Sequence, residues 1–200
     1  MKEVVVYVHG KGGSADEAEH YKPLFVDRNV IGFDYKSNTP WEAKEEFSAF
    51  FDKYDDYILV ANSIGAYFCM HALAGRSIKK AFFISPIVDM NDLIHNMMDW
   101  AGVTEDELRL KREISTSFGE TLSYDYLCYV RNNPICWNVP TEILYGAKDY
   151  LTSNEVMTAF AKKIGASLTI MKDGEHWFHT PEQMAFLDEW IKNAYKAELI

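Results

Sequence analysis

The stretch Tyr57–Gly75, YILVANSIGAYFCMHALAG, decides how the rest of the chain is read. It holds no charged residue, and length alone would admit a membrane span. Asn62, Ser63, Gly65 and His71 interrupt it, however, and Gly65 and Gly75 punctuate it. The pattern predicts a buried strand up to Asn62 and a buried helix from Ser63 to Ala74. A single serine between small residues then stands at the strand-to-helix junction. Such a serine is either a helix N-cap or a nucleophile, and distant parts of the chain must decide between the two.

Working outward, strands and helices alternate. The β-branched run Glu3–Val8, EVVVYV, predicts a first strand rather than a signal peptide, and the glycine-rich HGKGGS follows it. NVIGFDY (Asn29–Tyr35) is the second strand. TPWEAKEEFSAFFDKY reads as a helix with Thr39 as N-cap, Pro40 at its first position and Glu42 closing a capping box. IKKAFFISP is a fourth strand ending at Pro86, and TEILYG a fifth. TSNEVMTAFAKKIG is a helix with a Thr152/Glu155 box and Gly165 as its stop. SLTIMKD is the sixth strand, and TPEQMAFLDEWIKNAYKAEL, capped by Thr180 and Pro181, is the closing helix. The strands are nearly continuous apolar runs, the signature of a parallel sheet with helices on both faces.

The alternation breaks once, over about residues 87–137. Here Met90, Leu93, Ile94, Met97 and Met98 fall on one face of a helix. TEDELRLKRE follows with a Thr104/Glu107 capping box, and TLSYDYLCYVRNNP reads as a third helical piece ended by Pro134. The expectation is one domain spanning residues 1–200, with this segment as a helical cap inserted after the fourth strand.

Composition excludes some partners. The chain has 200 residues, 48% of them hydrophobic, and a formal net charge of −10. Its pI is near 5.0. That acidity argues against nucleic acid or an anionic membrane as partner. Cys69, Cys128 and Cys136 form neither a CxxC pair nor an even framework, so reduced cysteines and a cytoplasmic location are expected.

In open parallel sheets, ligands sit at the carboxyl ends of the strands. At those ends lie His9-Gly10-Lys11-Gly12-Gly13-Ser14, then Ser63, then Gly146-Ala147-Lys148-Asp149, then Gly174-Glu175-His176-Trp177. A hydroxyl, a carboxylate, an imidazole and a glycine loop thus converge on one edge in the order Ser, Asp, His. Over essentially its whole length the chain resembles the α/β-hydrolase superfamily. That family's nucleophile elbow, G-x-S-x-G, reads here Ala61-Asn62-Ser63-Ile64-Gly65, with alanine in place of the first glycine.

The resemblance implies Ser63 as nucleophile, His176 as its base and Asp149 as the acid that orients the imidazole. It implies an oxyanion hole built from the backbone N–H groups of Ile64 and Lys11. Asp89, just past the fourth strand, is the rival acid, because some members carry the acid there. His9 reads as a structural loop residue, His71 as a packed core residue, and His20 and His95 as surface or cap residues. His179 is expected to order the loop before Thr180. No cofactor and no metal are implied.

The methionine-rich helix face and the aromatic residues Trp100, Phe118, Tyr124, Tyr126, Tyr129 and Trp137 allow two readings. They line an apolar acyl or alcohol pocket, with Met90, Ile94, Met97, Tyr126 and Trp177 as its candidate walls, or they glue the cap to the sheet. The expected activity is that of a serine hydrolase of the carboxylesterase (EC 3.1.1) type, cleaving an ester, thioester or amide of a small-molecule acyl substrate. An acyltransferase, a peptidase and a non-catalytic binding protein on the same scaffold are the alternatives. The sequence is silent on oligomeric state.

Overall fold

A computed structural model describes residues 3–196. The last residues of the expected closing helix, from 197 on, lie outside the described residues. In chain order the elements begin with β1 (Val4–Val8), the short α1 (Ala18–Tyr21) between two 3-10 turns, β2 (Asn29–Phe33), α2 (Pro40–Phe51), β3 (Tyr57–Asn62), α3 (Ile64–Ala72) and β4 (Ile78–Ile84). Then come α4 (Met90–Ala101), α5 (Glu105–Lys111), β5 (Glu113–Ser115), β6 (Thr121–Ser123) and α6 (Tyr124–Asn132). The chain closes with β7 (Thr141–Gly146), α7 (Asn154–Ile164), β8 (Ser167–Met171) and α8 (Pro181–Lys196). It divides into two compact units, one formed by residues up to Val88 together with those from Cys136, the other by Asp89–Ile135.

The first unit carries a six-stranded sheet in the order β2-β1-β3-β4-β7-β8, parallel throughout. Its register pairs Val8 with Ala61, Ala61 with Phe83, Ile84 with Leu144 and Gly146 with Met171. The carboxyl ends of β1, β3, β4, β7 and β8 therefore finish side by side, and the loops after them share one edge. Strand pleating sends alternate side chains to opposite faces. On one face Val5, Tyr7, Ile58, Val60, Phe82 and Ile84 pack with Tyr21, Phe25 and the α8 residues Leu187, Trp190, Ile191 and Tyr195. Against the other, aromatic rings interlock through Phe33–Phe47 at 4.9 Å, Phe47–Phe68 at 6.3 Å and Phe51–Tyr57 at 5.1 Å. Burial on both faces is why the central strands β1, β3, β4 and β7 read as nearly unbroken apolar runs, while the edge strands β2 and β8 are partly exposed.

Capping chemistry sets the start of α2, and α7 and α5 depart from the expected boxes. Thr39 and Glu42 form the full reciprocal box at α2. At α7 the N-cap is Ser153, whose hydroxyl accepts from the Val156 N–H at 3.2 Å, and not Thr152. Thr152 is buried, and its carbonyl accepts from the Tyr145 hydroxyl at 2.7 Å. At α5 Thr104 caps the Glu107 N–H, while the Glu107 carboxylate pairs with Lys111 at 2.8 Å instead of closing the box.

The second unit departs further. The segment expected as a third helix opens as strand β6, antiparallel to β5, and only Tyr124–Asn132 is helical, capped by Ser123. Thr116 closes the hairpin by donating to the Glu120 carbonyl and accepting from the Glu120 N–H. Three-residue strands are too short to display a period-two pattern, so the sequence carries no signal for them. Within this unit Met90, Leu93, Ile94 and Met98 are buried on α4, and Met97 is half-buried. Arg131 bridges α6 and α5 through Glu105 at 2.6 Å.

His71 sits half-buried on α3 against the Tyr67 ring, 4.5 Å away. Burial lowers its pKa from 6.5 to about 4. The unfolded chain therefore takes up this proton first as pH falls. The stability contributed by neutral His71 is complete above pH 6.5 and is lost on acidification towards pH 4. Urea melts at pH 7 and pH 5 should show a drop for wild type that His71→Gln reduces by on the order of 1 kcal/mol, a figure already discounted for partial exposure.

Candidate active site

Ser63 is the last residue before α3, with φ 52° and ψ −122°, in a region that L-residues rarely occupy. Such a conformation costs about 1–3 kcal/mol and persists only where its surroundings over-determine it. They do so here. The Ser63 N–H donates to the Ile84 carbonyl at 3.0 Å, and its own carbonyl accepts from the Ile87 N–H at 3.2 Å and the Ala66 N–H at 3.2 Å. The neighbouring small residues follow from this packing. A Cβ on Gly65 would lie 2.2 Å from the His9 carbonyl oxygen, so no side chain fits there. Ala61, fully buried within β3, pairs in register with Val8 on one side and Phe83 on the other.

The hydroxyl does not cap its own helix. It bonds instead to Nε2 of His176, at 2.8 Å. His176 Nδ1 lies 2.7 Å from Oδ2 of Asp149, whose side chain has no exposed surface. A carboxylate can only accept, so Nδ1 carries the proton and Nε2 accepts from the serine. Oδ1 of Asp149 accepts from the backbone N–H groups of Leu151 at 2.8 Å and Thr152 at 3.4 Å.

The loops bearing acid and imidazole are fastened to each other. Ala147 N–H donates to the Met171 carbonyl, Lys148 N–H to the Gly174 carbonyl, and the Lys148 ammonium pairs with Asp173 at 2.9 Å. Gly146 and Gly174 meet so closely that a Cβ on Gly146 would lie 2.5 Å from the Gly174 backbone. Asp89, the rival acid, caps α4 by accepting from the Asp92 N–H at 2.9 Å.

Two features beside Ser63 offer hydrogen-bond donors. Ile64 is the first residue of α3, where N–H groups have no intrahelical partner and the helix dipole favours negative charge. Lys11 follows Gly10, whose Cβ position would be 3.2 Å from Cβ of Ser63, so this loop backbone borders the serine. His9 supports the loop. Its ring is buried and stacked on Tyr35 at 4.4 Å, and the Tyr35 hydroxyl donates to the His9 carbonyl.

Of the other candidates, Trp177 is 67% exposed and stacked on His179 at 4.5 Å. Met90, Ile94, Met97 and Tyr126 all belong to the second unit. His20 bonds to Asp188 and His95 to the Asn91 carbonyl. Among the described residues no cluster of three His, Cys, Asp or Glu side chains could hold a metal ion. None of the described helices is long and apolar enough to cross a membrane. Sequence reasoning passed over Glu17, although Ser14-x-x-Glu17 has capping-box spacing, and the box is formed.

Solved structures share this architecture. Alpha/beta hydrolase domain-containing protein 10 from mouse superposes with a TM-score of 0.79 at 16% identity, covering 97% of this chain and 90% of its own. Est1E from Butyrivibrio proteoclasticus does so with a TM-score of 0.77 at 16% identity, covering 99% and 88%. The fold is that of the α/β-hydrolase superfamily. No protein-family profile matches this chain. A Mycoplasma genitalium protein that carries an esterase/lipase name is 29% identical over 101 residues, a match that covers 43% of this chain and 37% of that relative's length.

Gly65→Ala tests the close packing behind the elbow. The added methyl must displace the His9–Gly10 backbone, so thermal melts should show a loss of more than about 1 kcal/mol.

Proposed function

We propose that the chain is a serine hydrolase that cleaves a carboxylic ester, or its thioester or amide relative, through an acyl-enzyme. In this scheme Ser63 Oγ bonds to the acyl carbon as His176 Nε2 takes its proton. The resulting oxyanion would be held by the N–H groups of Ile64 and Lys11. Collapse breaks the bond to the leaving group, which leaves with the proton from His176. A water then gives its proton to His176 and attacks the acyl-serine; the acyl–oxygen bond to Ser63 breaks, and Ser63 Oγ takes that proton back as the acid leaves. Asp149 holds the imidazole tautomer and stabilises the imidazolium. No cofactor enters the scheme.

The observation that supports it is the continuous hydrogen-bond chain from Ser63 Oγ through both nitrogens of His176 to the fully buried carboxylate of Asp149. A serine serving only as a turn or cap residue has no need of an imidazole at its hydroxyl. The esterase/lipase name of the partial relative points the same way. This reading rests on the first unit alone.

A fluorophosphonate probe should label wild-type protein and leave Ser63→Ala unlabelled. A wild-type protein that stays unlabelled, and fails to turn over a short p-nitrophenyl ester, would remove the hydrolase reading in favour of a binding role. Label without ester hydrolysis, but with acyl transfer to an added amine or alcohol, would redirect it to acyl transfer. Asp149→Asn should lower kcat by about 10⁴-fold, through loss of the correct imidazole tautomer. Asp89→Asn should leave kcat within about twofold, its cost limited to the α4 cap at roughly 1 kcal/mol or less.

A further inference from the structure

Behind the glycine loop, a hydrogen-bonded chain runs from the protein surface to a buried phenol beside the residue that precedes Ser63. The loop turns at Gly10–Gly13, where the Gly13 N–H donates to the Gly10 carbonyl, and enters a 3-10 turn capped by Ser14. Glu17 sits at the end of that turn. Its Oε1 accepts from the Ser14 N–H at 3.2 Å. It also presses on Gly13, where a Cβ would lie 2.4 Å from the same oxygen. Its Oε2 accepts from the hydroxyl of Tyr7 in β1, a ring with almost no exposed surface, stacked on Tyr21 at 4.8 Å. The Asn62 side chain in turn lies close enough to the Tyr7 hydroxyl to favour its charged form. Asn62 precedes Ser63 and lies against Gly10, whose Cβ position would be 3.8 Å from Cγ of Asn62.

We propose that Glu17, acting through Tyr7, is a positioning residue that sets the glycine loop, and with it the Lys11 N–H, against Ser63. This rests on the hydrolase reading above. One carboxylate ties the loop to the strand before it, and the phenol stands beside Asn62 at the elbow, so loop and serine share one packed polar frame. Burial, the neighbouring Tyr21 and Glu17 all push the Tyr7 phenol well above its ordinary pKa, so it remains a donor throughout the neutral range.

A carboxylate that merely closes a capping box would influence local stability and nothing else. The second oxygen of Glu17 separates the two roles, because its partner is a buried phenol on another element and not part of the capped turn. Oxyanion donors act on the transition state more than on bound substrate, so a displaced loop should be felt in kcat and in acylation rate, with KM little moved.

The test compares Glu17→Gln, Tyr7→Phe and the double variant with wild type and with the surface control Glu19→Gln. The measurements are p-nitrophenyl ester kinetics, the rate of fluorophosphonate labelling, and hydrogen exchange of the Lys11–Ser14 amides. Glu17→Gln keeps the size of the side chain but offers one acceptor oxygen where two donors need one each. It should lower kcat and labelling rate by about 10–30-fold with KM within about twofold, and speed exchange in the loop. Tyr7→Phe should act similarly, and the double variant should be no worse than the poorer single one, since both cut the same chain.

Either a kcat for Glu17→Gln within about twofold of wild type, or a rise in KM alone, overturns the proposal. Effects of the two variants that multiply also overturn it. Should Tyr7→Phe fail to fold, Glu17→Gln carries the test by itself, because it alters an exposed side chain. A wild-type protein that neither hydrolyses nor labels defeats the hydrolase reading and this inference together. An active wild type with indifferent variants defeats only this inference.

Discussion

The backbone at residues 63–65 is the constraint on which the site depends. Ser63 occupies a left-handed conformation because β3 must turn sharply into α3 while its N–H and carbonyl are both held by the end of the adjacent β4 segment. The turn brings the start of α3 hard against the His9 carbonyl, a contact that only a glycine at 65 permits. The strain is small beside the packing that holds it, since β3 and α3 are almost wholly buried. In exchange the serine hydroxyl projects from the sheet edge beside the first N–H of a helix and the glycine loop after β1.

The second requirement is that two other loops arrive at the same edge with fixed geometry. The loops after β7 and β8 carry Asp149 and His176, and each is braced by backbone hydrogen bonds to the other and by the contact of two glycines. Asp149 then spends one oxygen on two backbone N–H groups and the other on the imidazole, which leaves it little freedom to turn. Parallel pairing of neighbouring strands makes this possible, because their carboxyl ends finish level.

Local signals in the sequence were clear where local chemistry decides. The Thr39/Glu42 box, the six apolar runs and the glycine stop at Gly165 all have short-range causes, and each stands where the residues indicate. Thr152 against Ser153 was harder to read, because adjacent hydroxyls are equally good caps. Burial of Thr152 beneath the Tyr145 hydroxyl removes it from the choice. The β5–β6 hairpin was not legible at all, since three-residue strands hold no periodicity and depend on the Thr116–Glu120 closure. Glu17 went unread even as a cap, and nothing local signals its tie to Tyr7, a partner ten residues away whose approach requires the folded sheet edge.

What the sequence determined by itself is the alternation of strand and helix, the parallel sheet it implies, and the short list of candidate polar side chains at the strand ends. These follow from periodicity, capping and turn chemistry, which act over a few neighbouring residues. Only the tertiary structure decided that the hydroxyl of Ser63 bonds to His176 instead of capping α3, and that Asp149 meets the imidazole while Asp89 caps a helix. Those choices depend on distances through space between residues up to 113 positions apart in the chain. No local preference encodes such distances; the packing of the sheet edge does.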